Sequence, residues 1–445
     1  MSLILTGSRP LRFFSFTVFY VAQGLPFGLV TVALPAYLAE QGVSAGAIGS
    51  FIGIASLPWS FKILAGPVMD RFSFLAMGRR RPWVILAQLC LVLTGVAFAF
   101  FPQALQNVAL LTALCFLLNC FAATQDVAVD GMAIDVLQPE EHGRANAFMA
   151  FGQVAGITGS STVAAFAVLQ FGMLGIALML MLGFGLILFW CVAVRERDGE
   201  KLLPWTAGRA TQRSIDLRAT TWIGIVRDLS RALFLPASLL MLVVAFLFRF
   251  GNVFWTTMAP VVVVQELGYP STDYSSWTAT ANFIAAVAGL LVGFYIDRKG
   301  VKLLYGLALL SYGLLAVAVG LLESAWPSPR FLLSILFLQS FVYQAVFISF
   351  IATSMSLCWV KISVTQFAIY MAWANLGLTF GGMVIGFIQS RLAYNEMFFF
   401  IGLVFFVAVA LVWKANLAAH RKRIEALAGD QSRLDYPQAQ RPLMS

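Results

Sequence analysis

The chain has 445 residues, 60% hydrophobic and only 11% charged, with a mean hydropathy of +0.86 and a net charge of +9. A soluble domain carries about 25% charged residues, so a soluble enzyme or binding module is excluded. The basic residues sit between apolar runs rather than on one face, which excludes nucleic acid as the partner.

In chain order, twelve apolar runs of about 20 residues or more are each long enough to cross a bilayer. They lie at roughly 12–38, 45–69, 82–102, 107–136, 143–169, 172–194, 234–264, 274–296, 302–322, 329–357, 363–389 and 396–415. The first is too long for a signal-peptide core and is taken as the first span. Cys90, Cys115, Cys120, Cys191 and Cys358 fall in or at the ends of spans. They fit no metal pattern and are expected to pack as small apolar residues. No metal or cofactor is expected.

The loops set the orientation. With the first residues inside, the inner loops and tails hold 25 of the 29 Lys and Arg, all except Lys62, Arg249, Arg330 and Arg391. Basic loops stay cytoplasmic, so both termini are expected there. The longest polar interruption, Arg195 to Arg231, separates six spans from six. Four segments follow: 1–195 and 234–416 as six-helix bundles, 196–233 as a cytoplasmic linker, and 417–445 as a disordered tail. Within the linker, residues 219–231 alternate apolar and charged faces at helical spacing and predict an amphipathic helix on the membrane surface.

The halves repeat at an offset of about 226, the pattern of internally duplicated transporters. Gly66-Pro-Val-Met-Asp70-Arg71 after span 2 matches Gly293-Phe-Tyr-Ile-Asp297-Arg298 after span 8. The second copy closes on Gly300, the first on Ser73. Each aspartate can face the positive N-terminus of a neighbouring span, so the turns are expected to act as a gate with Arg79, Arg80 and Asp135. Small residues four apart, Gly152/Gly156, Gly289/Gly293, Gly377/Gly381 and Gly382/Gly386, predict close helix packing.

Charges inside spans are costly and mark function. Asp126 and Asp130 share one face of span 4, and like charges at that spacing favour a neutral form of one. They are the candidate proton carriers. Lys62 in span 2 is a candidate ion partner at the depth of Asp126. Arg249 in span 7 is a candidate contact for an anionic group or for an acid of the other half. Tyr20 and Gln23 in span 1, with Gln125, Gln153 and Asn252, are candidate cavity residues. The charges have no counterparts in the second half, where Gly289, Ala352 and Ser356 stand at the matching positions. His142 and His420 are far apart in sequence and no nucleophile and base cluster together, so no enzyme is predicted.

Three segments carry a resemblance: Ser60-Phe-Lys62-Ile-Leu-Ala-Gly-Pro67-Val-Met-Asp70-Arg71, Gly78-Arg-Arg-Arg-Pro-Trp83 and Ala123-Thr-Gln125-Asp126-Val-Ala-Val-Asp130-Gly131. Together they resemble the AmpG-type muropeptide permeases of the major facilitator superfamily. Their relatives, acetyl-CoA transporters and some siderophore permeases, are almost as similar. The stretch Gly131-Met-Ala-Ile-Asp135 is nearer the acetyl-CoA type, Gln153 stands where the resemblance implies an arginine in span 5, and Asn252 stands where it implies an acid in span 7. The resemblance implies an all-helical fold of twelve spans in two bundles. It also implies import across a bacterial inner membrane; with the intramembrane acids, a proton-coupled importer of a bulky polar or anionic solute, acting as a monomer, is expected. The alternatives are a siderophore or acyl-CoA-type transporter of the same group, or a proton-driven metabolite or drug exporter. The span 5 pattern Gly152-x-x-x-Gly156-Ile157-x-Gly159 is like that of antiporters but lacks their proline.

Overall fold

A computed structural model describes residues 3–41, 43, 45–61, 64–217, 221–269 and 271–435. Ten of its helices are long and apolar enough to cross a membrane. The chain opens with β1 (Leu3–Ile4) and α1 (Arg9–Gly28), which continues as a π-helical turn to Ala33, then α2 (Leu34–Glu40). The second apolar run is three short helices, α3 (Ala45–Ser56), α4 (Pro58–Phe61) and α5 (Ala65–Arg71). Pro58 lacks the amide that a continuous helix needs there. Lys62 lies outside the described residues.

Next come α6 (Arg81–Ala99), α7 (Val108–Val136) and α8 (His142–Ala193). At 1.5 Å per residue the 52 residues of α8 would extend about 78 Å, far beyond a bilayer core of about 30 Å. Gly172, at φ +59° and ψ −139°, divides it, at the boundary expected between the fifth and sixth runs. Neighbouring Phe171 or Met173 could not adopt this backbone without strain.

The connecting segment holds β2 (Val194–Arg195), α9 (Gln212–Asp216) and α10 (Trp222–Leu233). The second half holds α11 (Pro236–Pro260), α12 (Ser271–Lys299), α13 (Val301–Leu321), α14 (Pro329–Leu357), α15 (Ser363–Gln389) and α16 (Tyr394–Lys414). Proline in the first turn starts α6, α11 and α14, where its missing amide costs no hydrogen bond. Asn107 caps α7 by accepting from the Leu110 amide at 3.1 Å.

Two features differ from the sequence reading. A two-residue parallel pairing, Leu3 with Val194 and Ile4 with Arg195, ties the start of the chain to the end of α8. And residues 417–435, expected as part of a disordered tail, form α17 (Leu417–Asp435). Apolar Ile424 and Leu427 give that helix something to bury, against Ile225, Trp359 and Ile362.

Within the first half α1 packs on α8, and α6 on α7 and α8; in the second half α11 packs on α15 and α16, and α13 on α14 and α16. Glycines set the closest approaches. A Cβ on Gly24 would meet the Gly156 Cα at 2.7 Å, and one on Gly293 would meet the Gly143 carbonyl oxygen at 2.6 Å. The first holds α1 to α8 within a half; the second holds α12 to α8 across the halves. Gly382 has open space instead, so it sets no close approach. The outside of the bundle is apolar, with Leu186 and Phe189 of α8 at 73% and 74% exposure, a surface that only lipid can cover.

Candidate functional site

The linker and the basic turns lie at one end of the bundle, here the basic end. There the loop after α5 brings Arg79 and Arg80, both fully buried, between Asp70 at the end of α5 and Asp135 at the end of α7. Arg80 reaches Asp70 at 2.5 Å and Asp135 at 3.1 Å; Arg79 reaches Asp135 at 3.1 Å and Asp70 at 3.4 Å. Two cations and two anions offset each other out of water, the condition for a buried pair to be tolerated. Burial, then the Arg80 charge, lowers the Arg79 pKa. For Arg80 burial acts the same way, but Asp135 and Asp70 outweigh it and raise the pKa.

The cluster closes onto the second half. Arg79 donates to the carbonyls of Val360, at 2.6 Å, and Lys361. Ser363 donates to Asp135 at 3.0 Å. Asp70 accepts from the Thr365 amide at 3.0 Å and its hydroxyl at 2.7 Å. Thr365 is in the first turn of α15, so the carboxylate sits where unpaired amides and the helix dipole favour a negative charge. Asp297 repeats the contact from the other side. It accepts from the amides of Gly143 at 2.7 Å and Arg144 at 3.2 Å, in the first turn of α8, and from Arg144 Nε at 2.5 Å. Arg71 and Arg298 do not join the cluster. The Arg71 guanidinium lies 5.3 Å over the Phe72 ring, and Arg298 is exposed.

Deeper in the bundle a cavity of about 310 Å³ lies between the halves. The first half contributes Tyr20, Phe27, Trp59, Asp126, Asp130 and Gln153; the second contributes Arg249, a wall of Tyr343, Phe347, Phe350 and Phe367, and Asn375. The Tyr20 hydroxyl donates to Asp130 Oδ1. Arg249 donates to the Tyr343 hydroxyl at 3.0 Å, which aims the guanidinium along that wall. Three residues expected at the cavity point elsewhere. Gln23 is fully buried off the lining; Gln125 donates to the Phe19 carbonyl at 3.1 Å, pinning α7 to α1; Asn252 donates to Tyr312 at 3.2 Å inside the second half. A polar side chain buried between helices needs a partner, and Gln125 and Asn252 find theirs in packing.

Several groups escaped the sequence reading. Glu196 accepts from three consecutive amides, Arg79, Arg80 and Arg81, at 2.9, 2.6 and 2.5 Å, and so caps α6 from the linker. The Arg81 guanidinium donates to the Cys191 and Val192 carbonyls at the end of α8. Glu141 binds Arg12 through two hydrogen bonds of 2.9 and 2.6 Å. The signal for Ser363 and Thr365 was visible: two hydroxyl residues open an apolar run. Which carboxylate they meet was not.

Ten apolar helices, two halves sharing a polar cavity, and interlocking helix termini at one end define a multi-pass membrane transporter, not an enzyme. The Major Facilitator Superfamily sequence model matches residues 14–358 and 241–441, and the chain belongs to that superfamily. The anhydromuropeptide permease of Escherichia coli is 24% identical over 403 residues, covering 85% of this chain and 74% of the permease. A Haemophilus influenzae protein of unassigned function is 24% identical over 437 residues, covering 91% and 95%. Among solved structures, the proton:xylose symporter XylE has a TM-score of 0.63 at 15% identity, covering 94% of this chain and 100% of XylE. FucP in the outward conformation has a TM-score of 0.63 at 14% identity, covering 92% and 99%.

Proposed function

We propose that the chain is a proton-coupled importer of a bulky polar or anionic solute, working by alternating access across a bacterial inner membrane. In this reading twelve spans form two bundles, residues 1–195 and 234–416, with both termini and the basic end in the cytoplasm. Ten long helices, the division of α8 at Gly172 and the broken run α3 to α5 support that count. The loop charges support the orientation. Cysteines at exposed Ala207 in the linker and exposed Ser328 before α14 test it. An impermeant thiol reagent added to intact cells labels Ser328→Cys alone; labelling of Ala207→Cys instead reverses the topology.

The observation that carries the reading is that Asp126 and Asp130 face the same cavity as Arg249, from opposite halves. Both carboxylates are buried, at 5% exposure, within a membrane-spanning helix, where acidic side chains mark ion and proton pathways. A guanidinium suits a carboxylate or phosphate on the solute. The aromatic wall offers stacking area to a large ligand. The polar locks at the basic end correspond to a state closed to the cytoplasm, and their release opens the cavity inward. The permease relative makes an anhydromuropeptide the first solute to try. Uptake of a labelled anhydromuropeptide into proteoliposomes should need an inward proton gradient and collapse with a protonophore. Uptake indifferent to the gradient removes proton coupling, and no uptake removes this solute.

A further inference from the structure

The amphipathic helix α10 is more than a spacer, because its two faces meet two different things. Its buried face is Ile225, Asp228, Leu229 and Ala232. The apolar members pack on Trp359 and Ile362, and Asp228 pairs with Lys361 at 3.4 Å. This is the turn between α14 and α15 whose Val360 and Lys361 carbonyls accept from Arg79. So α10 grips the segment on which the basic end closes.

The other face is uncovered. Trp222, Ile223 and Val226 are 48%, 83% and 65% exposed, and Phe234, just past the helix, is 73% exposed. Trp222 meets the exposed ring of Phe72 edge-on at 6.0 Å. Beside this apolar strip, one helical step round, stand exposed Arg227 and Arg231. Only Phe234 and Leu235 separate α10 from membrane-spanning α11, which fixes α10 at the bilayer edge. An apolar strip flanked by arginines at that depth matches acyl chains below and negative headgroups above.

We infer that α10 docks on an anionic lipid surface and that this docking holds the 358–362 turn against Arg79, favouring the closed basic end. A bilayer can shift that equilibrium only by binding α10 better when the turn is in place, which the buried face of α10 provides. The inference rests on the gate described above, so its test separates the two.

The full chain is placed in nanodiscs of phosphatidylcholine alone or mixed with phosphatidylglycerol, and amide hydrogen exchange is followed in residues 222–233 and 358–362. Phosphatidylglycerol should slow exchange in both segments by about fivefold or more, the factor that one basic side chain contributes at an anionic surface. The double variant Arg227→Gln with Arg231→Gln should lose that lipid dependence. Asp228 loses its 3.6 Å pair with Arg227 but keeps Lys361 at 3.4 Å, so the unfolding temperature should stay close to that of wild type. Inorganic phosphate in phosphatidylcholine discs should give no protection. Equal exchange in both lipids, persistence of the effect in the double variant, or protection by phosphate overturns the inference. Asp70→Asn serves as the separate control. If it leaves exchange at the start of α15 unchanged, the gate itself is wrong; if it speeds that exchange while lipid charge does nothing, only the lipid inference fails.

Discussion

Asp70 and Asp297 occupy equivalent places, each ending a helix of one half and capping the first turn of a helix from the other. Around Asp70 the contact is embedded in two fully buried arginines and a second aspartate. Around Asp297 there is one arginine, Arg144, whose side chain is 24% exposed. The duplicated backbone therefore supplies the two caps, and the first half adds a buried charge cluster to its own. The cavity has the same bias. Its acids come from the first half, and its arginine and most of its aromatic wall from the second. What the repeat shares is scaffold; what it does not share is where coupling and recognition are expected.

The largest effects test the two caps. Asp70→Asn leaves Arg79 and Arg80 short of a buried counter-charge, at a cost of about 3–5 kcal/mol. Asp297→Asn weakens charge-assisted bonds to a group that water can reach, at about 1–2 kcal/mol. The unfolding temperature in detergent should fall clearly more for the first; equal losses erase the asymmetry.

Next are the cavity acids. Asp126→Asn or Asp130→Asn keeps a polar group of the same size but cannot cycle a proton. Gradient-driven accumulation should be lost while counterflow exchange survives. Normal accumulation in both variants takes the acids out of the mechanism.

Arg249→Ala should weaken binding of an anionic solute by about 10- to 100-fold, the range for a lost charge-assisted contact, and Arg249→Lys by less. A neutral analogue should bind wild type and Arg249→Ala alike. If the alanine variant loses both ligands equally, Arg249 serves structure through Tyr343.

The smallest effect concerns the linker. Burial, then the neighbouring Glu196, raises the Glu200 pKa from 4.5 to about 7. A carboxyl raised in the folded state favours folding while protonated, so its contribution is present below about pH 4.5 and fades as pH climbs through about 7. Glu200→Gln should therefore unfold at a higher temperature than wild type above about pH 7, with the difference vanishing in acid. A pH-independent difference contradicts this.

The long apolar helices, and Asp70 and Asp297 at the ends of two of them, were legible because bilayer length and the repeated Asp-Arg motif act on local sequence. Arg144, Thr365 and Glu196 were not, since each matters through a partner from a distant segment that only the packed bundle supplies. Gln125 and Asn252 show the converse. A polar residue in an apolar run signals a buried hydrogen bond, but the sequence does not say whether solute or a neighbouring helix receives it. Residues 417–435 fold for a related reason: α17 is mostly polar, and only its contact with α10 and the 358–362 turn makes it worth folding.

If the capped helix termini hold the basic end shut, the Asp70 cluster should restrain it more than the Asp297 cap. Spin labels at Ser73 and Lys299, one in each half beside the two caps, measure this by pulsed electron resonance without any ligand. Wild type should give one dominant short distance. Asp70→Asn should populate a longer distance strongly, and Asp297→Asn the same one weakly. An unchanged distribution in Asp70→Asn would contradict the account.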